Sequence, residues 1–327
     1  MLLPFLAVLF GLLFLALSSD RFIDGAAVIA RRTGISPLII GIVIIGFGTS
    51  VPELIVSALA ALQGTPALAV GNALGSNIAN IALILGLIAV VSPIRFQSGI
   101  LRKELPILTL VTLIAVFFML NHEISRNEGL LMLLIFCIIL IYFVRSSLSQ
   151  PQDPIAVELE NQLAQKEISM RKAAGQLAGG LLVLILSSRA LVWGAVEIAT
   201  ALGVSDMVIG LSVVALGTSL PELAAGFASL RKGEHELIVG NVVGSNLFNT
   251  LAVTGLAGSI SPMATEPEVL TRDLLTVFLL TFSLFLIGYG HNRPGRINRL
   301  EGLLLLAAYA GYLFWLIHPL LASERIT

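Results

Sequence analysis

Two carboxylates, each closing a short polar block, interrupt long apolar runs at a fixed interval. Gly48, Thr49, Ser50, Val51, Pro52 and Glu53 are matched 169 residues later by Gly217, Thr218, Ser219, Leu220, Pro221 and Glu222. A second patch follows each copy at the same interval: Gly71, Asn72, Gly75, Ser76, Asn77 and Asn80, then Gly240, Asn241, Gly244, Ser245, Asn246 and Asn249. Residues three and four apart share a helical face, so Thr49, Ser50 and Glu53 can point to one side, as can Thr218, Ser219 and Glu222. Ser76 and Asn80 are spaced by four, as are Ser245 and Asn249. This inventory is carboxylate, hydroxyl and amide, without histidine or cysteine. Hard cations select such oxygens: calcium takes about six to eight of them at roughly 2.3–2.6 Å, whereas zinc and copper favour nitrogen or sulfur. Two carboxylates balance one divalent ion. Without a cation they repel, so monovalent ions or protons compete for the same oxygens, and competition for one site couples two fluxes. The candidate cation ligands are Glu53, Glu222, Thr49, Thr218, Ser50, Ser219, Ser76, Ser245, Asn80 and Asn249.

The elements that must position these groups lie in a membrane. Hydrophobic residues make up 57% of the chain and charged residues 12%, against about 25% charged in ordinary soluble domains. Apolar runs approach the roughly 20 residues that a spanning helix needs, and no alternating lipid-facing strands suggest a barrel. Spans are expected near 4–30, 37–62, 67–91, 104–120 and 128–145, then 173–199, 206–230, 236–260, 272–290 and 301–319. Pro52 and Pro221 lack a backbone donor and clash with the carbonyls of Gly48 and Gly217, so the second and seventh spans should break there. Breaks are expected as well in the third and eighth spans, around a midplane site. Carbonyls freed in this way are tolerated only where protein, water or ions satisfy them.

The interval of 169 also matches Gly25 with Gly194, Gly41 with Gly210, Gly86 with Gly255, and Ser92-Pro93 with Ser261-Pro262. The expected fold is thus all-α integral membrane: ten transmembrane helices as two five-helix repeats, residues 1–145 and 173–327, joined by a cytoplasmic linker at 146–172. An odd number of spans per repeat inverts the second relative to the first. Loops after odd-numbered spans hold 14 Lys and Arg residues, the other side only three (Arg126, Arg272 and Arg325), so the former side is cytoplasmic and both termini face outward. Charge swaps sides between equivalent loops: Arg31-Arg32 corresponds to Thr200-Ala201, and Leu62-Gln63 to Arg231-Lys232. Inverted repeats with a midplane site are the build of secondary transporters.

Plainer explanations compete at several positions. The glycines suit close helix packing, and serine or asparagine can act as interhelical glue. The carboxylates are harder to explain structurally, because a buried unpaired charge is expensive and here occurs twice. Cys137 is expected as a small core residue, the four histidines as interfacial, and Asp20, Asp24, Arg189 and Glu197 as ion pairs, path-lining groups or snorkelling side chains. The net charge of −1 is too small to argue for nucleic acid partners, the glycine-rich turns lack the ending of a phosphate loop, and no nucleophile–base–orienter set supports a membrane enzyme. The expected partners are ions and the lipid bilayer, with no obligatory protein partner and no cofactor.

The blocks from Gly48 to Glu53 and Gly217 to Glu222, each followed by Gly-Asn-x-x-Gly-Ser-Asn, resemble the two alpha repeats of the calcium/cation antiporter superfamily, which includes sodium/calcium exchangers. The chain is most similar to compact prokaryotic members. This resemblance implies an antiporter of a bacterial or archaeal plasma membrane, not an enzyme, that exports calcium using the sodium gradient by alternating access. Proton coupling, or calcium binding without transport, are the alternatives. It also implies Glu53 and Glu222 as shared calcium ligands, with carbonyls from Thr49 and Thr218. Ser50, Ser76, Ser219, Ser245 and Asn80 would hold sodium, while the first and sixth spans slide across the remaining bundle. Asn249 departs from the pattern: some archaeal and potassium-dependent relatives carry aspartate there, which argues against potassium cotransport.

Overall fold

The structure, a computed structural model, describes residues 2–64, 66–95, 103–148, 169–202, 215–288 and 295–323. Most of the expected linker and the first part of the expected seventh span, including Gly210, lie outside these residues. The helices are α1 (Leu2–Thr33), α2 (Pro37–Thr49), α3 (Val51–Leu62), α4 (Pro66–Val91), α5 (Glu104–Met119), α6 (Arg126–Leu148), α7 (Met170–Ala201), α8 (Ala215–Thr218), α9 (Leu220–Arg231), α10 (His235–Ile260), α11 (Val269–Ile287) and α12 (Arg299–Ser323). Among the described residues seven helices are long and apolar enough to cross a membrane, or eight if the bent pair α2 and α3 forms one span. Large apolar side chains such as Leu3, Phe10, Phe117, Leu186, Leu286 and Phe314 stay exposed on the outer helices, a surface suited to hydrocarbon rather than water. Cys137 is among these outward residues, exposed on α6 instead of packed in the core, because its helix turns an apolar face to the lipid.

Local chemistry sets the helix boundaries. Ser36 accepts the Ile39 N–H at 3.3 Å with Pro37 as the first helical residue of α2, a favourable N-cap and N1 pair. Before α6, the Ser125 N–H donates to Glu128 at 2.7 Å and the Glu128 N–H to Ser125 Oγ at 3.3 Å. Asn298 and Glu301 make the same reciprocal bonds before α12, at 2.7 and 3.0 Å, so both helices open on a capping box.

The break between α2 and α3 is a 46° bend where Pro52 removes a donor. The third and eighth spans depart from expectation: α4 and α10 run unbroken through their Gly/Asn patches. No proline interrupts either patch, so no backbone donor is removed there. The distortion is absorbed by wide π turns, Ala79–Leu85 and Phe248–Val253, a device common at functional sites. In the second of these the Thr254 hydroxyl donates to the Asn249 carbonyl at 3.1 Å.

Contacts between the halves come in matched pairs. Helices α1 and α7 pack antiparallel along their length: a Cβ on Gly25 would meet the Ala173 carbonyl at 2.6 Å, and one on Gly194 would meet Ala7 Cβ at 3.1 Å. Gly86 of α4 lies against Gly302 of α12, and Gly255 of α10 against Gly129 of α6. Two short antiparallel ladders follow the same rule, β1 (Ile94–Arg95) with β4 (Arg296–Ile297) and β2 (Glu123–Ile124) with β3 (Met263–Ala264). The core sits where α4 and α10 cross, around Leu74, Ile78, Ile81, Val242, Leu247 and Leu251.

One face carries ion pairs. Arg231 meets Asp20 at 2.7 Å, Lys232 meets Asp24 at 2.8 Å, and Arg31 meets Glu234 at 3.2 Å, which ties α1 to the α9–α10 turn. Asp20 is thus paired with Arg231 rather than with Arg189. All three pairs are partly exposed, and such pairs contribute about 0–1 kcal/mol each. Asp24→Asn should therefore lower thermal stability by less than about 1 kcal/mol, an effect that vanishes in high salt; a salt-independent loss of several kcal/mol would contradict this weight.

Candidate cation site

The site forms where two helix ends meet two crossing helices. Ser50 (φ −84°, ψ 3°) and Ser219 (φ −89°, ψ 4°) adopt the same non-helical hinge before α3 and α9. Each hinge puts a glutamate in the first turn of the next helix, Glu53 in α3 and Glu222 in α9. There, unpaired N–H groups and the positive dipole end favour a carboxylate. The C-terminal end of α2 contributes the opposite, carbonyl oxygens with partial negative charge, which favour a cation.

Helix α10 closes one side of the site. The Thr49 hydroxyl donates to the Ile45 carbonyl at 3.1 Å, lies 3.2 Å from Asn241 Oδ1, and is 3.4 Å from Ser245 Oγ. Ser50 Oγ donates to Glu222 Oε1 at 3.3 Å, which Ser245 Oγ also approaches at 3.5 Å. Asn241 Nδ2 reaches the Glu222 carbonyl at 3.3 Å, and its counterpart Asn72 reaches the Glu53 carbonyl at 3.5 Å. Where α4 and α10 cross, Asn77 donates to Thr250 at 2.7 Å and Asn80 to Asn246 at 3.0 Å.

The expected ligands Thr49, Ser50, Glu53, Ser76, Asn80, Ser219, Glu222, Ser245 and Asn249 are all buried, while Thr218 is half-buried. Ser50, three residues before Glu53, bonds Glu222 Oε1, which brings the two glutamate-bearing helix ends to one site. Both Glu53 oxygens, Glu222 Oε2, Asn80 Oδ1, Ser219 Oγ and both polar atoms of the Asn249 side chain have no hydrogen-bond partner. A buried polar atom without a partner costs about 1–3 kcal/mol, more when charged. Several of them concentrated here, mostly oxygens, form a donor set that a hard cation satisfies. Among the described residues no three His, Cys, Asp or Glu side chains cluster, so ligands beyond the two carboxylates must be hydroxyls, amides and carbonyls.

The asparagines with partners divide the labour differently. Asn77 and Asn246 serve as interhelical ties, whereas Asn241 bridges the two halves from Thr49 to Glu222. Ser57 was not a sequence candidate, yet it accepts from Asn72 at 3.2 Å; its spacing of four from Glu53 put it on the same face of α3.

A family model described as sodium/calcium exchanger protein matches residues 3–145 and 172–318. The chain belongs to the sodium/calcium exchanger protein family. Among relatives of this family, CaxA of Alkalimonas amylolytica is 43% identical over 97% of this chain and 99% of its own. The inner membrane protein YrbG of Escherichia coli is 36% identical over 97% and 96%. The sodium/calcium exchanger MaX1 of Methanosarcina acetivorans is 31% identical over 94% and 97%. A solved structure of the sodium-calcium exchanger NCX_Mj, soaked with 10 mM Na+ and 10 mM Sr2+, superposes with a TM-score of 0.82 at 30% identity, covering 94% of this chain and 97% of that one. The exchanger family thus accounts for both halves of the chain and for the multi-pass helical architecture.

Proposed function

We propose that this protein exchanges calcium for sodium across the plasma membrane of a prokaryote, with both ions competing for the pocket between Glu53 and Glu222. The observation that carries this reading is the pair of adjacent buried carboxylates with three of four oxygens unpartnered. Family membership supports it, as does the name of the relative MaX1, a sodium/calcium exchanger. The other ligands are Thr49, Thr218, Ser50, Ser219, Ser76, Ser245, Asn80 and Asn249.

The proposed scaffold is ten spans in two inverted repeats, residues 1–145 and 173–327, with a cytoplasmic linker at 146–172 and both termini outside. The contacts made at the equivalent positions Gly25 and Gly194, and Gly86 and Gly255, together with the matched ladders β1–β4 and β2–β3, support this symmetry. Topology is supported by the Arg31–Glu234 pair, which joins loops that the alternation puts on one face. Helix α5 and the region of α8 and α9 supply the spans that length alone leaves out.

The test is flux in proteoliposomes. Sodium-loaded vesicles diluted into sodium-free medium are expected to accumulate labelled calcium, and vesicles without a sodium gradient are not. Uptake driven equally well by a proton gradient in sodium-free medium would contradict sodium as the coupling ion. Calcium binding without flux would remove transport altogether.

A further inference from the structure

The two halves of the site match in sequence but differ in the bonds that Ser50 and Ser219 make to the glutamates. In one half-site Thr49 Oγ1 lies 3.2 Å from Asn241 Oδ1 and Ser50 Oγ donates to Glu222 Oε1 at 3.3 Å, with Ser245 beside both. The matching contact of the other half-site, Ser219 with Glu53, is not made: Ser219 Oγ and both Glu53 oxygens lack a partner. The Asn72 amide is drawn one turn along α3 to Ser57 at 3.2 Å, and its bond to the Glu53 carbonyl, 3.5 Å, is longer than the corresponding 3.3 Å bond from Asn241. Asn241 has no such alternative, because the residue matching Ser57 is Gly226.

Two inverted halves around a fixed site exchange roles when access switches sides. In the opposite conformation Asn72 would take the place that Asn241 holds here, bridging to Thr218, while Ser219 closes on Glu53. We infer that Asn72 is a positioning residue with two stations, held by Ser57 in the conformation described here and moved to Thr218 when the pocket opens to the other face. Ser57, present in one half only, then sets the balance between the two. This inference rests on the proposed exchange activity.

The experiment compares half-saturating calcium on the two membrane faces, measured in right-side-out and inside-out vesicles, for the wild type, Ser57→Ala and Ser57→Thr. Loss of the Ser57 hydroxyl removes one neutral hydrogen bond from one conformation only. The ratio of the two half-saturation values should therefore shift by about fivefold in Ser57→Ala, and Ser57→Thr, which keeps the hydroxyl, should stay near wild type. A role confined to folding would change both faces by the same factor. An unchanged ratio in Ser57→Ala, equal changes on both faces, or a threonine variant that behaves like alanine overturns the inference. Absence of exchange in the wild type overturns the activity itself and the inference with it, so the two failures are distinguishable.

Discussion

Glu53→Gln and Glu222→Gln are each expected to reduce sodium-driven calcium uptake to background, with apparent calcium affinity lowered on the order of 100-fold or more, because the number of charged ligands moves oxygen-site affinities over several decades. The two variants should differ in stability. Glu53 has no hydrogen-bond partner on either oxygen, so its replacement by an amide deletes a repulsive neighbour of Glu222 without breaking a bond. Ion-free Glu53→Gln protein should unfold at the same temperature as wild type or higher. Glu222 Oε1 accepts from Ser50 and Ser245, and an amide there preserves those bonds only if its oxygen faces them. Ion-free Glu222→Gln gains the same relief but puts those bonds at risk, so it should be less stable than Glu53→Gln. Thermal unfolding in detergent, with and without calcium, separates these effects: calcium should stabilise wild type and neither variant. Exchange retained in both variants would remove the site assignment.

The second large effect concerns the helix contact behind the site. Alanine at Gly240 would press its Cβ onto the Leu38 carbonyl, and alanine at Gly244 onto the Ile42 carbonyl. The opposing surface is equally tight, since a Cβ on Gly46 would lie 2.8 Å from the Ser245 nitrogen. These neighbours are backbone atoms, which no rotamer change can move, so α2 and α10 must separate. Forced overpacking of this sort costs about 1–3 kcal/mol, occasionally more, and here it also pulls Ser245 away from Thr49 and Glu222. Gly244→Ala should lower the unfolding temperature and suppress calcium uptake together. At its counterpart Gly75, an added Cβ would meet nothing within 4 Å among the described residues. An unchanged unfolding temperature in Gly244→Ala would contradict the packing assigned to this contact.

Pro52 and Pro221 made the two hinges legible, because proline chemistry acts locally. Continuity of α4 and α10 was not legible, since small polar residues can end a helix or be carried through a π turn, and only the facing helix decides which. The partner of Asp20 escaped for a related reason: side-chain spacing reports which residues share a face, not which helix arrives opposite. Thr49 and Asn241 meet across 192 positions of sequence, beyond the reach of any periodicity. The difference between half-sites was invisible in principle, because matched motifs describe what both halves can do, whereas hydrogen bonds record what each does in one conformation. Ser57 alone carried a trace of that difference, as a hydroxyl matched by a glycine in the other repeat.

Diffraction from crystals soaked in calcium tests the central claim most directly, by locating the ion from its anomalous signal. A single strong peak should appear within roughly 2.3–2.6 Å of carboxylate oxygens from both Glu53 and Glu222. A peak held by only one of them, or calcium bound elsewhere with the two side chains apart, would contradict the account.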